Sequence, residues 1–334
     1  MAIIRDMIPA FELYQPTSID DAVALLDRHG DQSWVLAGGL DTFDWLKDRI
    51  KRPRAVVDLS GVEELRGVSP MSEGIRIGAM TTLTEVASNR EIAQRFPLLS
   101  QASGLVATPQ IRNQGTLGGN ISQDTRCWYY RGGWPCYRAG GNVCYASSPS
   151  AMNRDHCIMG SNRCVAVNPS DTAPALIALE AQMVIRNASG ERVVDAEDFF
   201  IGPAIDITRM TAVEPGDLLT EIRVPHTWAG TRHYFEKVRD RQAWDFALVS
   251  VASAMLVRNG VIERLRVAVN RVAPYPMRLE DVENAVRGKA PTEETATLGG
   301  ETAVARGTRP LRHNDYKIPL MRNLVRRSLR VEPA

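Results

Sequence analysis

Several familiar signals are missing from this 334-residue chain. No apolar run approaches the ~20 residues that span a bilayer. The opening residues, MAIIRDMIPAFELYQP, bring acid and proline too early for a signal-peptide core, so the expectation is a cytoplasmic chain with no export signal of its own. Charge of one sign is lacking too: 40 Lys and Arg stand against 39 Asp and Glu, which leaves no electrostatic reason to expect nucleic acid or an anionic membrane. The five histidines, His29, His156, His226, His233 and His313, are scattered outside any nucleophile or metal signature and receive no chemistry. Cysteine is absent everywhere except positions 127–164, which hold all five. An odd number confined to one segment argues against a disulfide framework and for a local ligand set. What remains is ordinary globular composition at a length that suits two domains.

Read in order, the chain begins with an extended piece. A helix follows, opening at Thr17-Ser18, with Asp20 and Asp21 in its first turn and Gly30 at its end. A short strand at 34–36 runs into Gly38-Gly39 and a helix from about Asp41, which gathers backbone N–H groups at one point where a phosphate could bind. An ordinary tight turn is the simpler alternative. Strands at 55–59 and 75–77 follow, the second leading through Gly78-Ala79 to a helix capped by Thr81 or Thr82.

The segment ATPQIRNQGTLGGNIS is more specific. Gly115, Gly118 and Gly119 with Thr116 among them make a backbone nest suited to a pyrophosphate. It is not GxGxxG, and no helix is expected after the glycines, which disfavours a Rossmann domain. Beyond the cysteines, Ser170 and Asp171 cap a helix, and QMVIRNASGERVVD reads as a hairpin turning at 187–190. A boundary is expected near 226–230. The last domain reads as two or three strands, a helix-like DFALVSVA segment and amphipathic helices, the final one carrying Arg322, Arg326, Arg327 and Arg330 on a solvated or partner-docking face. Tyr234, Trp244 and Phe246 are expected in the core, with one of them as an alternative border to a cofactor.

The pieces AGGLD (37–41), IGAMTTLTE (77–85), RNQGTLGGNIS (112–122), PSDTAPALIALEA (169–181), FFIGP (199–203) and EKVRDRQAWDFALVSVA (236–252) stand in an order that resembles the FAD-binding medium subunits of the xanthine oxidase family of molybdenum hydroxylases. That group includes the flavoprotein subunit of carbon monoxide dehydrogenase. The resemblance implies an α+β fold: a two-lobed VAO/PCMH-type FAD-binding domain over 1–226, then a small α/β C-terminal domain over 230–334. It implies FAD held by Ala37, Gly38, Gly39, Leu40 and Asp41 and by Thr116, Leu117, Gly118, Gly119 and Asn120. Ala79, Thr81 and Thr82 would lie along the flavin edge or ribityl chain, with Asp171 near the cofactor and Lys237 approaching the isoalloxazine. Leu40 departs from the pattern, standing where threonine, serine or histidine is commoner.

Against that family the stretch at about 124–167 is an insertion. It has no sustained helical or strand period, yet it is too rich in aromatics to read as disordered. Its spacing, Cys-x8-Cys-x7-Cys-x12-Cys-x6-Cys, lacks the CxxC knuckle of a zinc site, whereas a four-thiolate iron–sulfur cluster tolerates looser spacing. The insertion is similar to the [4Fe-4S]-bearing loop of the 4-hydroxybenzoyl-CoA reductase beta subunit. By that resemblance Cys127, Cys136, Cys144 and Cys164 are the ligands and Cys157 is a spare buried thiol. Zinc, or no metal, stays the alternative.

No residue forms a convincing acid/base pair or nucleophile, so substrate chemistry is placed elsewhere. The resemblance implies a large molybdopterin-binding subunit and a small [2Fe-2S] subunit as partners, in a heterotrimer or its dimer, with an external electron carrier. Export to the periplasm would then need a signal on a partner. The complex's substrate is expected to be an aldehyde, a heteroaromatic or an aryl-CoA compound. A free-standing FAD oxidoreductase of the VAO/PCMH fold and a zinc-stabilised binding module are the competing possibilities.

Overall fold

The computed structural model describes residues 7–305 and 307–330. The start of the stretch weighed above as a signal peptide, and the end of the expected C-terminal domain, lie outside them. The fold is α+β, and its strands form three sheets.

The first sheet is small and parallel. Strand β1 (Glu12–Tyr14) and strand β2 (Ser33–Leu36) flank β3 (Ala55–Asp58). The helix Ile19–His29 connects β1 to β2. Ser18 caps it by accepting the Asp21 amide at 3.1 Å, and Gly30 ends it in the left-handed region at φ 49°. Its buried Ala22, Val23 and Leu26 pack with Val57 and Leu59.

The second sheet is antiparallel in the order β4 (Val68–Met71), β5 (Gly74–Gly78), β8 (Leu218–Pro225), β6 (Gln182–Asn187), β7 (Gly190–Asp195). Its inner face meets the helices Pro97–Gly104 and Ala173–Ala178 in the largest apolar core.

The third sheet is antiparallel: β9 (Arg232–Val238), β10 (Val249–Arg258), β11 (Val261–Asn270) and the short β12 (Met277–Arg278) in the order β12-β11-β10-β9. The segment expected to be helix-like, 245–252, contains no helix: its second half opens β10 and its first half is irregular. Ala252 and Ala254 of β10 face the large core, while Val249, Val251 and Met255 face the C-terminal helices. A strand buried on both sides shows no alternation, and periodicity alone cannot tell such a run from a buried helix.

Three helices cover this sheet: Glu280–Val286, Glu293–Ala305 and Lys317–Leu329. The middle one was not foreseen, because Gly299 and Gly300 weaken its helical signal. They are needed for close packing, since a Cβ on Gly300 would lie 2.8 Å from the Arg322 carbonyl oxygen. The arginines of the expected basic face of the last helix all find acidic partners within the chain, two of them sharing one carboxylate. Arg326 and Arg330 pair with Glu293, Arg327 with Glu236 and Arg322 with Glu301.

The cysteine-bearing insertion holds one short helix, Trp128–Arg131, and two single 3-10 turns, but it is pinned on both sides. Arg309 donates its amide to the Ile158 oxygen at 2.6 Å, Asn314 its side-chain amide to the His156 oxygen at 2.9 Å, and Lys317 its amine to the Asp155 oxygen at 3.1 Å. At its other end Arg126 and Arg131 both reach Asp41, at 2.9 and 2.5 Å. Among the described residues no helix is long and apolar enough to cross a membrane.

Candidate functional site

The two glycine segments meet edge to edge but differ in what their backbones offer. In the first, the amides of Gly38, Gly39, Leu40 and Asp41 donate to no other described residue. A Cβ on Gly38 would run into the carbonyl of Gln114, so glycine is what lets the two segments touch. In the second, the backbone is already engaged. Leu117 donates to Thr81 at 2.9 Å, Gly118 to Ala79 at 2.9 Å, Gly119 to the Thr116 hydroxyl at 3.0 Å and Asn120 to Thr116 at 2.9 Å. Contrary to the sequence expectation, a short helix, Leu117–Ile121, includes these glycines, with Thr116 as its cap. Gly118 is required because a Cβ there would stand 2.7 Å from the Ala79 oxygen. The first segment is thus an open cradle of N–H groups. The second is a packed wall.

Both border a cavity of about 730 Å³. Of the residues singled out from sequence, Ala37, Gly38, Gly39, Leu40, Asp41, Ala79, Thr116, Gly118, Gly119, Asn120 and Asp171 line it. Thr81, Thr82, Leu117 and Lys237 do not. Thr81 is buried and donates to the Gly67 oxygen at 3.0 Å, Thr82 caps the helix Leu83–Ser88 in a capping box with Glu85, and Leu117 lies in the core. The Asp41 carboxylate does not face a ligand freely: besides the two arginines, it accepts the Trp45 indole N–H at 3.1 Å.

Lys237 lies behind the cavity and reaches it through Asp171. Its amine donates to the Asp171 carboxylate at 2.5 Å and to the Leu105 oxygen at 3.1 Å. The two side chains are 0% and 4% exposed. Burial pushes the Asp171 carboxyl up and the Lys237 amine down, and their contact opposes both shifts.

Asn120 joins the same floor, its Oδ1 accepting from the hydroxyls of Ser170 and Thr172, each at 2.7 Å. Ser170 also accepts the Ala173 amide at 3.1 Å, but Asp171, expected to share the capping, pairs with Lys237 instead, and Thr172 is the residue at the helix start.

The far wall was less legible. Trp244, expected in the core, is 61% exposed and lines the cavity together with Asp245 and Phe246. Its φ of 74° is unusual for a bulky residue, and its amide is held by the Ala107 oxygen at 3.0 Å. Arg126 also lines the cavity and stacks over Phe246 at 4.9 Å. Burial lowers its pKa, and its Nε has no partner among the described residues.

Next to this wall is a small second hollow. Four of the five cysteines line it: Cys127, Cys136, Cys144 and Cys164, with Thr125, Tyr129, Tyr130, Arg138 and Tyr145 among the others. Cys157 is buried at 2% exposure but does not line it. All five are free thiols. Burial pushes the Cys127 thiol up, and that of Cys164 up to about 11, so without a metal these are protonated groups. Among the described residues no three His, Cys, Asp or Glu side chains converge as they would on a single metal ion.

One neighbour was overlooked. His156, 3% exposed, places Nε2 at 3.3 Å from Cys127 Sγ, and burial lowers its pKa to about 4. The motif DHC contains it, but a lone histidine beside a cysteine carried no distinguishing spacing.

Comparison with known proteins agrees with the chain's length and order. Residues 9–227 match the family described as FAD binding domain in molybdopterin dehydrogenase, and residues 233–331 match the CO dehydrogenase flavoprotein C-terminal domain. The carbon monoxide dehydrogenase medium chain of Hydrogenophaga pseudoflava is 31% identical over 325 residues, 96% of each chain. The aldehyde oxidoreductase FAD-binding subunit of Escherichia coli (strain K12) is 34% identical over 271 residues, covering 80% of this chain and 83% of the relative. Among solved structures, carbon monoxide dehydrogenase from Hydrogenophaga pseudoflava superposes with a TM-score of 0.77 over 97% of both chains, at 31% identity.

Proposed function

This chain belongs to the FAD-binding medium subunits of the CO dehydrogenase and xanthine oxidase family of molybdenum hydroxylases, an oxidoreductase family, and we propose that it is the electron-transfer subunit of such a complex, carrying a [4Fe-4S] cluster beside its FAD. It would act between the [2Fe-2S] clusters of a small subunit and an external electron carrier, while a large molybdopterin subunit handles an aldehyde, a heteroaromatic or an aryl-CoA compound. FAD exchanges electrons singly or in pairs, and a cluster exchanges them one at a time, so together they can match donors and acceptors of different stoichiometry.

The residues present fit FAD in shape and chemistry, and they suit the cluster in the chemistry of their donor set. For FAD, the unbonded amides of 38–41 suit the pyrophosphate, and the cavity's apolar and aromatic walls suit a planar ring system. Gly118, Gly119 and Ala79 form the close-packed wall opposite. Asp171, fixed by Lys237 and set beside Asn120, presents an acceptor in the floor. In this arrangement Thr81 and Leu117 would support the wall from behind and Thr82 would hold the start of the neighbouring helix. For the cluster, Cys127, Cys136, Cys144 and Cys164 offer four thiols around one hollow that Tyr129, Tyr130 and Tyr145 also line.

The observation that carries this reading is the path of residues 125–127. Arg126 lines the flavin cavity, whereas its chain neighbours Thr125 and Cys127 line the cysteine hollow. A single thickness of backbone therefore separates the two sites. On the outer side, Trp134 packs edge-on against Tyr145 of the hollow at 4.7 Å and is itself 47% exposed, which gives the hollow a route to the surface.

Anaerobic purification followed by flavin, iron, sulfide and zinc assays tests the proposal. One FAD and roughly four irons per chain are expected. FAD without iron would leave the family assignment and remove the cluster. Zinc in place of iron, without flavin, would overturn the proposed electron-transfer role.

A further inference from the structure

The cluster proposed above rests on four cysteines, and one residue near them has no role so far. We propose that His156 is a positioning residue that donates its Nε2 hydrogen to Cys127 Sγ and raises the reduction potential of the cluster held there. The inference depends on the cluster reading and extends it to a single hydrogen bond.

The geometry selects the tautomer. Nε2 lies 3.3 Å from Cys127 Sγ, and Nδ1 is buried without a partner among the described residues. A neutral imidazole carries one proton. On Nδ1 it would be a buried donor with no acceptor, which is the costlier kind of orphan, whereas on Nε2 it points at sulfur and leaves only an unused acceptor. A free Cys127 thiol could supply the shared hydrogen itself, but a metal-bound thiolate has none. The N–H must then come from the histidine.

The ring is held in place by its own main chain. The His156 amide donates to the Asn153 oxygen at 3.2 Å, and its carbonyl accepts the Asn314 side chain at 2.9 Å. Asn314 also donates to the Cys157 oxygen at 3.1 Å, so a segment of the C-terminal domain fixes the loop from outside. His156 does not line the hollow. It stands behind a ligand, not among the ligands, where hydrogen bonds orient and tune ligated atoms. A donor to a cluster sulfur favours the reduced form, which carries the extra negative charge, and so makes the potential less negative.

The test uses the whole protein, purified anaerobically, with wild type, His156→Leu and His156→Gln compared by redox titration monitored by electron paramagnetic resonance. His156→Leu removes the donor. At a fixed ambient potential its ratio of reduced to oxidised cluster should fall on the order of tenfold, about 59 mV for a one-electron couple. His156→Gln keeps a side-chain N–H and should recover much of that shift, with FAD content equal in all three. Equal potentials in wild type and His156→Leu would overturn the inference while leaving the cluster standing. If His156→Leu loses its iron, the glutamine variant decides: a potential near wild type supports the hydrogen bond, and a full shift despite the retained donor refutes it. Absence of iron from the wild type would remove the cluster and this inference with it.

Discussion

The flavin cavity and the cysteine hollow lie one residue apart at Arg126, yet they are built in opposite ways. The cavity draws on segments far apart in the chain, from Ser33 to Phe246, and its defining contacts are backbone groups and close glycine packing. The hollow draws on residues 125–166 alone and is defined by side-chain sulfur. A site assembled by the whole fold shares the fold's stability. A site contained in one segment can be emptied while the rest stands. The comparison makes the hollow a separable module and the cavity an integral one.

The largest expected effect tests that separability. Cys136→Ser should abolish the bound iron while FAD stays at wild-type stoichiometry, both read by elemental and flavin analysis of the same sample. Loss of FAD together with the iron would mean that the hollow supports the cavity, and the division would fail.

The next prediction concerns the cavity's floor. Lys237→Met leaves the Asp171 carboxylate buried without its cation. Breaking a buried pair from one side costs about 3–5 kcal/mol, so urea denaturation should show a loss of that order together with weakened FAD retention. An effect well under that range would mean that Asp171 is already neutral. Iron content per folded chain should not change. Gly38→Ala should do less. The new Cβ meets the Gln114 carbonyl, and such overpacking costs about 1–3 kcal/mol. FAD affinity should drop because the amides of 38–41 shift, while the hollow, which Gly38 does not border, keeps its metal content.

How far each site can be read from sequence follows the same division. Local signals marked the helix capped at Ser18, the glycine pair at 38–39 and the hairpin at 187–190, because each is a near-neighbour pattern with its own chemistry. The four cysteines were selectable from Cys157 only through resemblance; their places around one hollow, which separate them in space, leave no trace in spacing. Trp244 was misread as core because hydrophobicity does not reveal a left-handed backbone that turns the ring outward. Both glycine segments looked alike as phosphate cradles. The difference between them is where their hydrogen bonds go, and Thr81 and Ala79, which satisfy the second one, come from more than thirty positions earlier in the chain. The arginines of the insertion that clasp Asp41 were equally invisible, since nothing near either partner marks the contact.

The smallest expected effect lies at the outer anchor of the hollow. The Lys317 amine is fully buried and donates to the Arg271 oxygen at 2.6 Å and the Asp155 oxygen at 3.1 Å, which ties the insertion to the last helix. Burial first, then the Arg271 charge, brings its pKa down to about 7 from an ordinary value of 10.5. The unfolded chain therefore holds this proton over a range in which the folded chain has released it, and stability from this group must rise with pH across that window. Below about pH 7 both states are protonated and the contribution is flat. Higher up, the Cys157 thiol, raised to about 12 from 9.0, contributes the opposite slope, because there the folded state binds the extra proton. The interval in which the amine dominates thus runs from about pH 7 to below the ordinary thiol value of 9.0, where Cys157 and the likewise raised Cys164 begin to oppose it. Denaturation midpoints measured across it should climb in the wild type and climb less in Lys317→Met, whose side chain cannot titrate. Parallel slopes in the two proteins would show that the amine stays charged in the folded state, held by its two carbonyls against the cost of burial.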